Sequence, residues 1–276
     1  NELSVEKTKM ASVRNSPTLT QLETQMANLK EAMMDNIDNI ISQTNQALKD
    51  RHKGETGLLI LNGPGLSVVP KEFLRKYTSL GCNRITLMYP DFCPTYYFGM
   101  GINQLDTPQK RGTILPVILD DRCKAAWMNR LMIHEFAFTN KCYSWLGGKV
   151  YGVTGDALRT WSKRPWFSVG LGYTMAYPIL QMAFYLGFQT ILIVGMDHEY
   201  PKDEKDKHRH FYKDDERYAG LFEQAPGPYT VEAWKNGADK VLAVAKAEFE
   251  KAGRKIINLS EPTKCEVFEK GKLEDW

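Results

Sequence analysis

Purely apolar stretches and amphipathic stretches alternate along most of this chain. At 57–61, Leu58, Leu59, Ile60 and Leu61 follow one another with no polar residue between them. That pattern reads as a strand covered on both faces, as in parallel sheets. The run stops at Asn62-Gly63-Pro64-Gly65, and a short helix is expected over 71–80. Residues 82–88 read as a second strand, 94–99 (Pro-Thr-Tyr-Tyr-Phe-Gly) as a third apolar piece, and 113–119 as a strand ending at Asp120-Asp121. Residues 122–130 read as helical, and 133–138 and 149–153 as shorter strands around a middle, 139–167, with no clear pattern. The pattern sharpens at 170–187, a glycine loop followed by a nearly all-apolar helix with Pro178 about one turn in, where proline disturbs a helix least. After Gly187 comes Thr190-Ile-Leu-Ile-Val-Gly195, a central strand ending in Met196-Asp197-His198. Helix, short turn and strand make half of a right-handed crossover unit. An amphipathic helix over 229–252 and a last strand over 254–259 complete the series.

Ahead of the first strand, Leu19, Leu22, Met26, Leu29, Met33, Ile37, Ile40 and Leu48 recur mostly three and four residues apart. This predicts a long N-terminal amphipathic helix with a narrow apolar stripe. The stripe suits packing along its own domain, and it equally suits a homo-oligomer seam. The expected organisation is therefore a polar tail and long helix at 1–54, followed by an α/β domain at 55–276. Within that domain, 199–228 is too polar to pack as core and long for a plain connection, so it reads as a charged lid loop.

Composition narrows the classes. The 276 residues suffice for one large α/β domain with additions, or for two small domains. Thirty-six basic and 33 acidic residues leave a formal charge of +3, too little to point to a nucleic-acid surface. No apolar run approaches the ~20 residues of a membrane-spanning helix, and no signal-peptide pattern opens the sequence. Five dispersed cysteines without zinc-type spacing predict reduced thiols, no structural metal and a cytoplasmic protein.

Four strand-end features could meet in one crevice: Asn62-Gly63-Pro64-Gly65, Cys82-Asn83, the loop with Gly172, Tyr173 and Thr174, and Asp197-His198. Open α/β sheets bind ligands outside the carboxyl ends of their strands. An asparagine amide can both donate to and accept from a base or ribose edge. The amides near Thr174 open a helix and suit a phosphate. Tyr96, Tyr97 and Tyr173 could stack on a base or simply fill the core. The glycine turn after the first strand also fits an ordinary strand-to-helix connection; it is neither a P-loop nor a dinucleotide fingerprint. Among the histidines, His52 reads as a helix end and His134 as structural. His198 and His210 are candidate general bases, and His208-x-His210 lacks the further ligands of a metal site.

Taken in order, Asn-Gly-Pro-Gly-Leu-Ser, Cys-Asn-Arg-Ile, Pro-Thr-Tyr-Tyr, Leu-Gln-Met-Ala-Phe-Tyr-Leu-Gly-Phe, Ile-Val-Gly-Met-Asp-His and His210-Phe211 resemble the hydroxymethylpterin diphosphokinase-like family. More distantly, the chain resembles the bacterial sialyltransferases. The resemblance implies a Rossmann-like, mostly parallel sheet flanked by helices, with a nucleotide in the crevice. It places Asn62, Gly63 and Asn83 on the cytidine nucleotide, Thr174 and its neighbours near ribose and phosphate, and His210 at the general base. It implies a CMP-sugar donor and a glycan or small-molecule acceptor. The alternative it leaves open is a diphosphokinase passing pyrophosphate from ATP to a pterin-like alcohol, with Mg²⁺ on Asp197 and Asp120 or Asp121, or a nucleotide-binding protein without activity. Gly65 stands where those relatives carry Ser, and Gly99-Met100-Gly101 where many carry an acidic residue.

Overall fold

The computed structural model describes residues 19–99, 108–129, 150–156, 160–199, 210–212 and 231–276. By its contacts the chain divides into two units at Ile41/Ser42. The first contains most of helix α1 (Leu19–Gln46), on which Leu22, Met26 and Leu29 are exposed. Among the described residues no helix is long and apolar enough to cross a membrane.

Among the described residues the second unit is built on one sheet of nine strands: β1 (Thr56–Ile60), β2 (Thr78–Cys82), β3 (Tyr96–Gly99), β4 (Ala125–Asn129), β5 (Val150–Asp156), β6 (Ser168–Gly170), β7 (Thr190–Val194), β8 (Lys255–Asn258) and β9 (Glu269–Lys270). Their spatial order is β6-β5-β4-β3-β2-β1-β7-β8-β9, and every ladder is parallel. The chain thus runs outward from β1 to β6, returns to lay β7 on the other side of β1, and continues to β9. The order reverses between β1 and β7, and such reversals open a crevice at the carboxyl edge of a sheet. This is the α/β, Rossmann-like parallel sheet that the apolar runs and the resemblance predict.

The helices are α2 (Lys71–Lys76), α3 (Pro108–Leu119), α4 (Ala176–Leu186) and α5 (Val231–Lys251). Helix α4 is apolar nearly all round because it is buried between sheet and α5. It ends at Gly187, whose φ of 95° is a left-handed cap conformation that glycine adopts without a Cβ penalty.

Three local expectations are corrected. Residues 113–119 belong to helix α3 rather than to a strand, and 122–130 contain strand β4 rather than a helix. A short apolar run does not by itself separate a buried strand from a buried helix. Trp127 and its neighbours become strand because they fill the sheet between β3 and β5. Likewise 82–88 is not a strand: β2 ends at Cys82, and Asn83, with φ of 49°, turns the chain into a 3-10 helix over Asn83–Met88. The candidate strand at 133–138 and His134 lie outside the described residues, as do His208 and most of the 199–228 loop.

Candidate functional site at the β1/β7 switch point

Register aligns the carboxyl edge. Ile60 is level with Gly81 on one side and with Val194 on the other, so Asn62, Asn83 and Asp197 all emerge just beyond the same edge. The β1 turn and the β7 turn then approach closely. Gly63 N–H donates to the Gly195 carbonyl at 2.9 Å. Gly195 sits at φ 71°, and a Cβ there would lie 2.3 Å from the Leu61 carbonyl oxygen. Only glycine fits that crossing.

Asp197 is wedged against the glycine turn. Its Oδ2 accepts from the Gly65 N–H at 2.6 Å. A Cβ on Gly63 would come 2.7 Å from Oδ2, and one on Gly65 would come 2.6 Å from Oδ1. A side chain at position 65 would displace the carboxylate. Asp197 is only 8% exposed, and burial raises its pKa above the usual carboxylate value, with the Gly65 N–H opposing and Glu199 reinforcing the rise.

Asn62 donates from Nδ2 to the Cys82 carbonyl at 3.1 Å. That bond fixes the amide, because a flipped group would set two oxygens against each other. The Asn62 Oδ1 is then buried with no hydrogen-bond partner among the described residues, and so are Asn83 Oδ1 and Asp197 Oδ1. Beneath them, the Tyr97 hydroxyl donates to the Asn83 carbonyl at 3.1 Å, and Tyr97 is fully buried. Burial pushes the Cys82 thiol up to about 12, so it stays protonated as a structural neighbour of Asn62 rather than a nucleophile.

Residues 210–212 reach this edge. The Phe211 N–H donates to the Asn62 carbonyl at 2.9 Å. The His210 ring stacks on Tyr212 with centroids 4.8 Å apart, and the Arg84 guanidinium lies 4.8 Å from the Tyr212 ring centroid. Arg84 and Tyr212 were given no role from sequence; the Phe211-Tyr212 aromatic pair inside a charged stretch is the signal that marks them.

Other candidates sit elsewhere. His198, with φ of 54°, turns a buried ring to Asp239 of α5, Nε2 to Oδ1 at 2.8 Å. Burial lowers its pKa, against an upward pull from Asp239. Gly172, Tyr173 and Thr174 follow edge strand β6, with β5, β4, β3 and β2 between it and β1 in the sheet order. A Cβ on Gly172 would meet Val241 of α5, and one on Gly237 of α5 would meet the Tyr173 ring. Asp120 receives Arg122 on both carboxylate oxygens, at 3.0 and 2.8 Å, which holds its pKa down at about 2. Among the described residues no group of three or more His, Cys, Asp and Glu is arranged to hold a metal ion.

No known family's sequence pattern matches the chain, and no curated protein does, so the diphosphokinase-like resemblance gains no support there. Among solved structures the chain is similar to the MAf glycosyltransferase from Magnetospirillum magneticum AMB-1, with TM-score 0.48 and 11% identity over 87% of this chain and 39% of that one. It is also similar to the sialyltransferase CstII from Campylobacter jejuni in complex with cytidine-5'-monophosphate, with TM-score 0.47 and 14% identity over 79% of this chain and 85% of that one. The chain spans well under half of the first of these. Likeness at this level assigns neither activity nor ligand to this chain.

Proposed function

We propose that this protein is a nucleotide-dependent transferase of the sialyltransferase-like kind, with its nucleotide in the β1/β7 crevice. The observation that carries this reading is the group of orphaned oxygens on Asn62, Asn83 and Asp197 at the topological switch point. Buried polar groups are nearly always bonded, and a cluster that is not marks the place of a missing partner. The segment resemblance on the same residues supports a nucleotide as that partner and a sugar as the group transferred.

In this reading Asn62, Gly63, Pro64, Gly65 and Asn83 form the wall against which the nucleoside lies, and Gly172, Tyr173 and Thr174, beyond edge strand β6 and packed on α5, take no part in it. The sugar's anomeric carbon is attacked by an acceptor hydroxyl while the phosphate departs. His210, on the loop that bonds Asn62, takes the acceptor's proton. Arg84, next to Asn83 and over Tyr212, stabilises the phosphate's charge. The ATP and Mg²⁺ alternative has no observation in its favour: Asp120 is bonded to Arg122 and Asp197 to Gly65.

A thermal-shift screen of CMP, UDP, GDP and ATP, with and without Mg²⁺, tests the site, since a ligand bound to the native state raises the melting temperature. The shift should vanish in Asn62→Ala. A nucleotide whose shift is the same in both proteins places the site elsewhere. With the donor known, His210→Ala should keep its affinity while turnover falls by roughly 10²–10⁴-fold. Unchanged turnover removes His210 from the mechanism.

A further inference from the structure

We propose that Asp197 is the specificity-determining residue of this crevice: its carboxylate occupies the anion position of the glycine turn and leaves a floor of acceptor oxygens that takes sugar hydroxyls and excludes phosphate. This deepens the nucleotide reading and rests on it.

A strand, a glycine turn and the start of a helix normally offer backbone amides to an anionic group of a ligand. Here the Gly65 N–H at that start is already taken by Asp197 Oδ2 at 2.6 Å. The missing side chains at 63 and 65 make room for this carboxylate, since Cβ atoms there would lie 2.7 and 2.6 Å from its oxygens. The glycines that look made for a ligand's phosphate thus hold an internal anion, contributed from 132 residues away.

What the protein leaves unpaired here is of one chemical kind. Asp197 Oδ1, Asn62 Oδ1 and Asn83 Oδ1 are acceptors, all buried and all without a partner among the described residues. The Asn62 amide cannot present its NH₂ instead, because that group is bonded to the Cys82 carbonyl. A phosphate brings only acceptors and negative charge, so it would leave the three oxygens unpaired and add repulsion from Asp197. Hydroxyls bring donors. Two adjacent hydroxyls, as on the ribose of a nucleotide, suit a floor of separate acceptors, and the phosphate then lies away from the turn.

The test is calorimetric titration of the full chain with CMP, UMP, AMP and GMP, the 2′-deoxy and 3′-deoxy form of each, and inorganic pyrophosphate. The best ribonucleotide should lose roughly tenfold to a hundredfold in affinity when one hydroxyl is missing, the consequence of stranding a buried acceptor. Pyrophosphate should not compete with it. Asp197→Ala, which frees the Gly65 N–H and removes the charge, should lose the discrimination between ribose and deoxyribose and begin to bind pyrophosphate. Equal affinity for ribo and both deoxy forms in the unmodified protein overturns this inference and leaves the nucleotide reading standing. So does pyrophosphate binding that Asn62→Ala abolishes. If none of the four ribonucleotides binds, both fall. The comparison on unmodified protein decides the matter even if Asp197→Ala fails to fold.

Discussion

Gln181 and Asn62 are amides at opposite extremes of satisfaction. Gln181, inside α4 and 1% exposed, accepts from Ser162 N–H and Gly170 N–H, each at 3.0 Å, and donates to the Gly170 and Tyr177 carbonyls at 2.9 and 3.1 Å. All four of its bonding positions are filled by protein, so it ties the end of edge strand β6 to the helix beside it. Asn62 fills its donor side with Cys82 and leaves its oxygen buried and empty, as do Asn83 and Asp197 nearby. An unpaired buried oxygen forfeits its hydration with nothing in return. The proposed nucleotide site is the reading that accounts for this difference: Gln181 is satisfied by protein, and the three oxygens at neighbouring strand ends are kept for a ligand.

The sharpest way to break this comparison is to remove the satisfied amide. Gln181→Leu strands the Ser162 N–H and both polar groups of Gly170, each a loss of about 1–3 kcal/mol. The expected loss of stability is about 3–5 kcal/mol in chemical denaturation. A loss under about 1 kcal/mol would mean that hydrogen-bond satisfaction does not distinguish the two regions. Asn62→Ala is the counterpart. It deletes an oxygen that has no partner together with the single Nδ2 bond to the Cys82 carbonyl, so the loss of stability should be about 1 kcal/mol, well short of that in Gln181→Leu. Its effect should appear in nucleotide affinity instead, lowered by roughly tenfold to a hundredfold in titration. A large loss of stability with unchanged affinity would make Asn62 a second Gln181.

The two regions were unequally legible in the sequence. Strands β1 and β7 and helices α4 and α5 were readable because a strand buried on both faces, or an amphipathic helix, writes its environment into a contiguous pattern. So was the turn at Asn62 and Gly63, just beyond the end of a buried strand. Strand β4 was not, because Ala125-Ala126-Trp127-Met128 has no strand pattern of its own and becomes one only between β3 and β5. Nor was the carboxylate on the glycine turn. Gly65 looks like a departure from a Ser until Asp197 is seen against it, and that contact joins positions 132 apart. The Gly172–Thr174 loop shows the same limit, since its partners Val241 and Gly237 come from α5 and follow from topology alone.

A smaller effect sharpens the contrast at Asp197. Burial raises its folded pKa above the unfolded value. A group of that sign contributes stability that is fully present below the unfolded carboxylate pKa and is lost as pH rises through the raised folded one. Above the folded value the native state therefore carries an unfavourable buried charge. Asp197→Asn keeps an oxygen for the Gly65 N–H and removes the charge, so above that window the variant should be more stable by on the order of 1 kcal/mol. Thermal melts across acid to neutral pH would show the gain growing with pH. A variant that loses stability at every pH would put Asp197 with Gln181 among the structural groups.

The smallest effect belongs to the next residue and has the opposite sign. His198 is buried, and burial lowers its folded pKa from the ordinary histidine value, while Asp239 pulls upward and Lys235 pulls down with burial. A depressed value means that the unfolded chain binds the proton more readily. The stability His198 contributes is thus present above the unfolded pKa, about 6.5, and is lost as pH falls through the folded one. Asp197 loses its contribution as pH rises and His198 as pH falls, so two adjacent residues at one strand end tilt the pH profile in opposite directions. Asp239→Asn removes the upward pull and leaves His198 a neutral partner. Its folded pKa should drop further, moving the acid-side loss to lower pH. NMR titration of the His198 ring reads this directly. A pKa for His198 that rises in Asp239→Asn, or does not move, would show that the 2.8 Å contact does not hold the ring. His198 would then return to the crevice as a base.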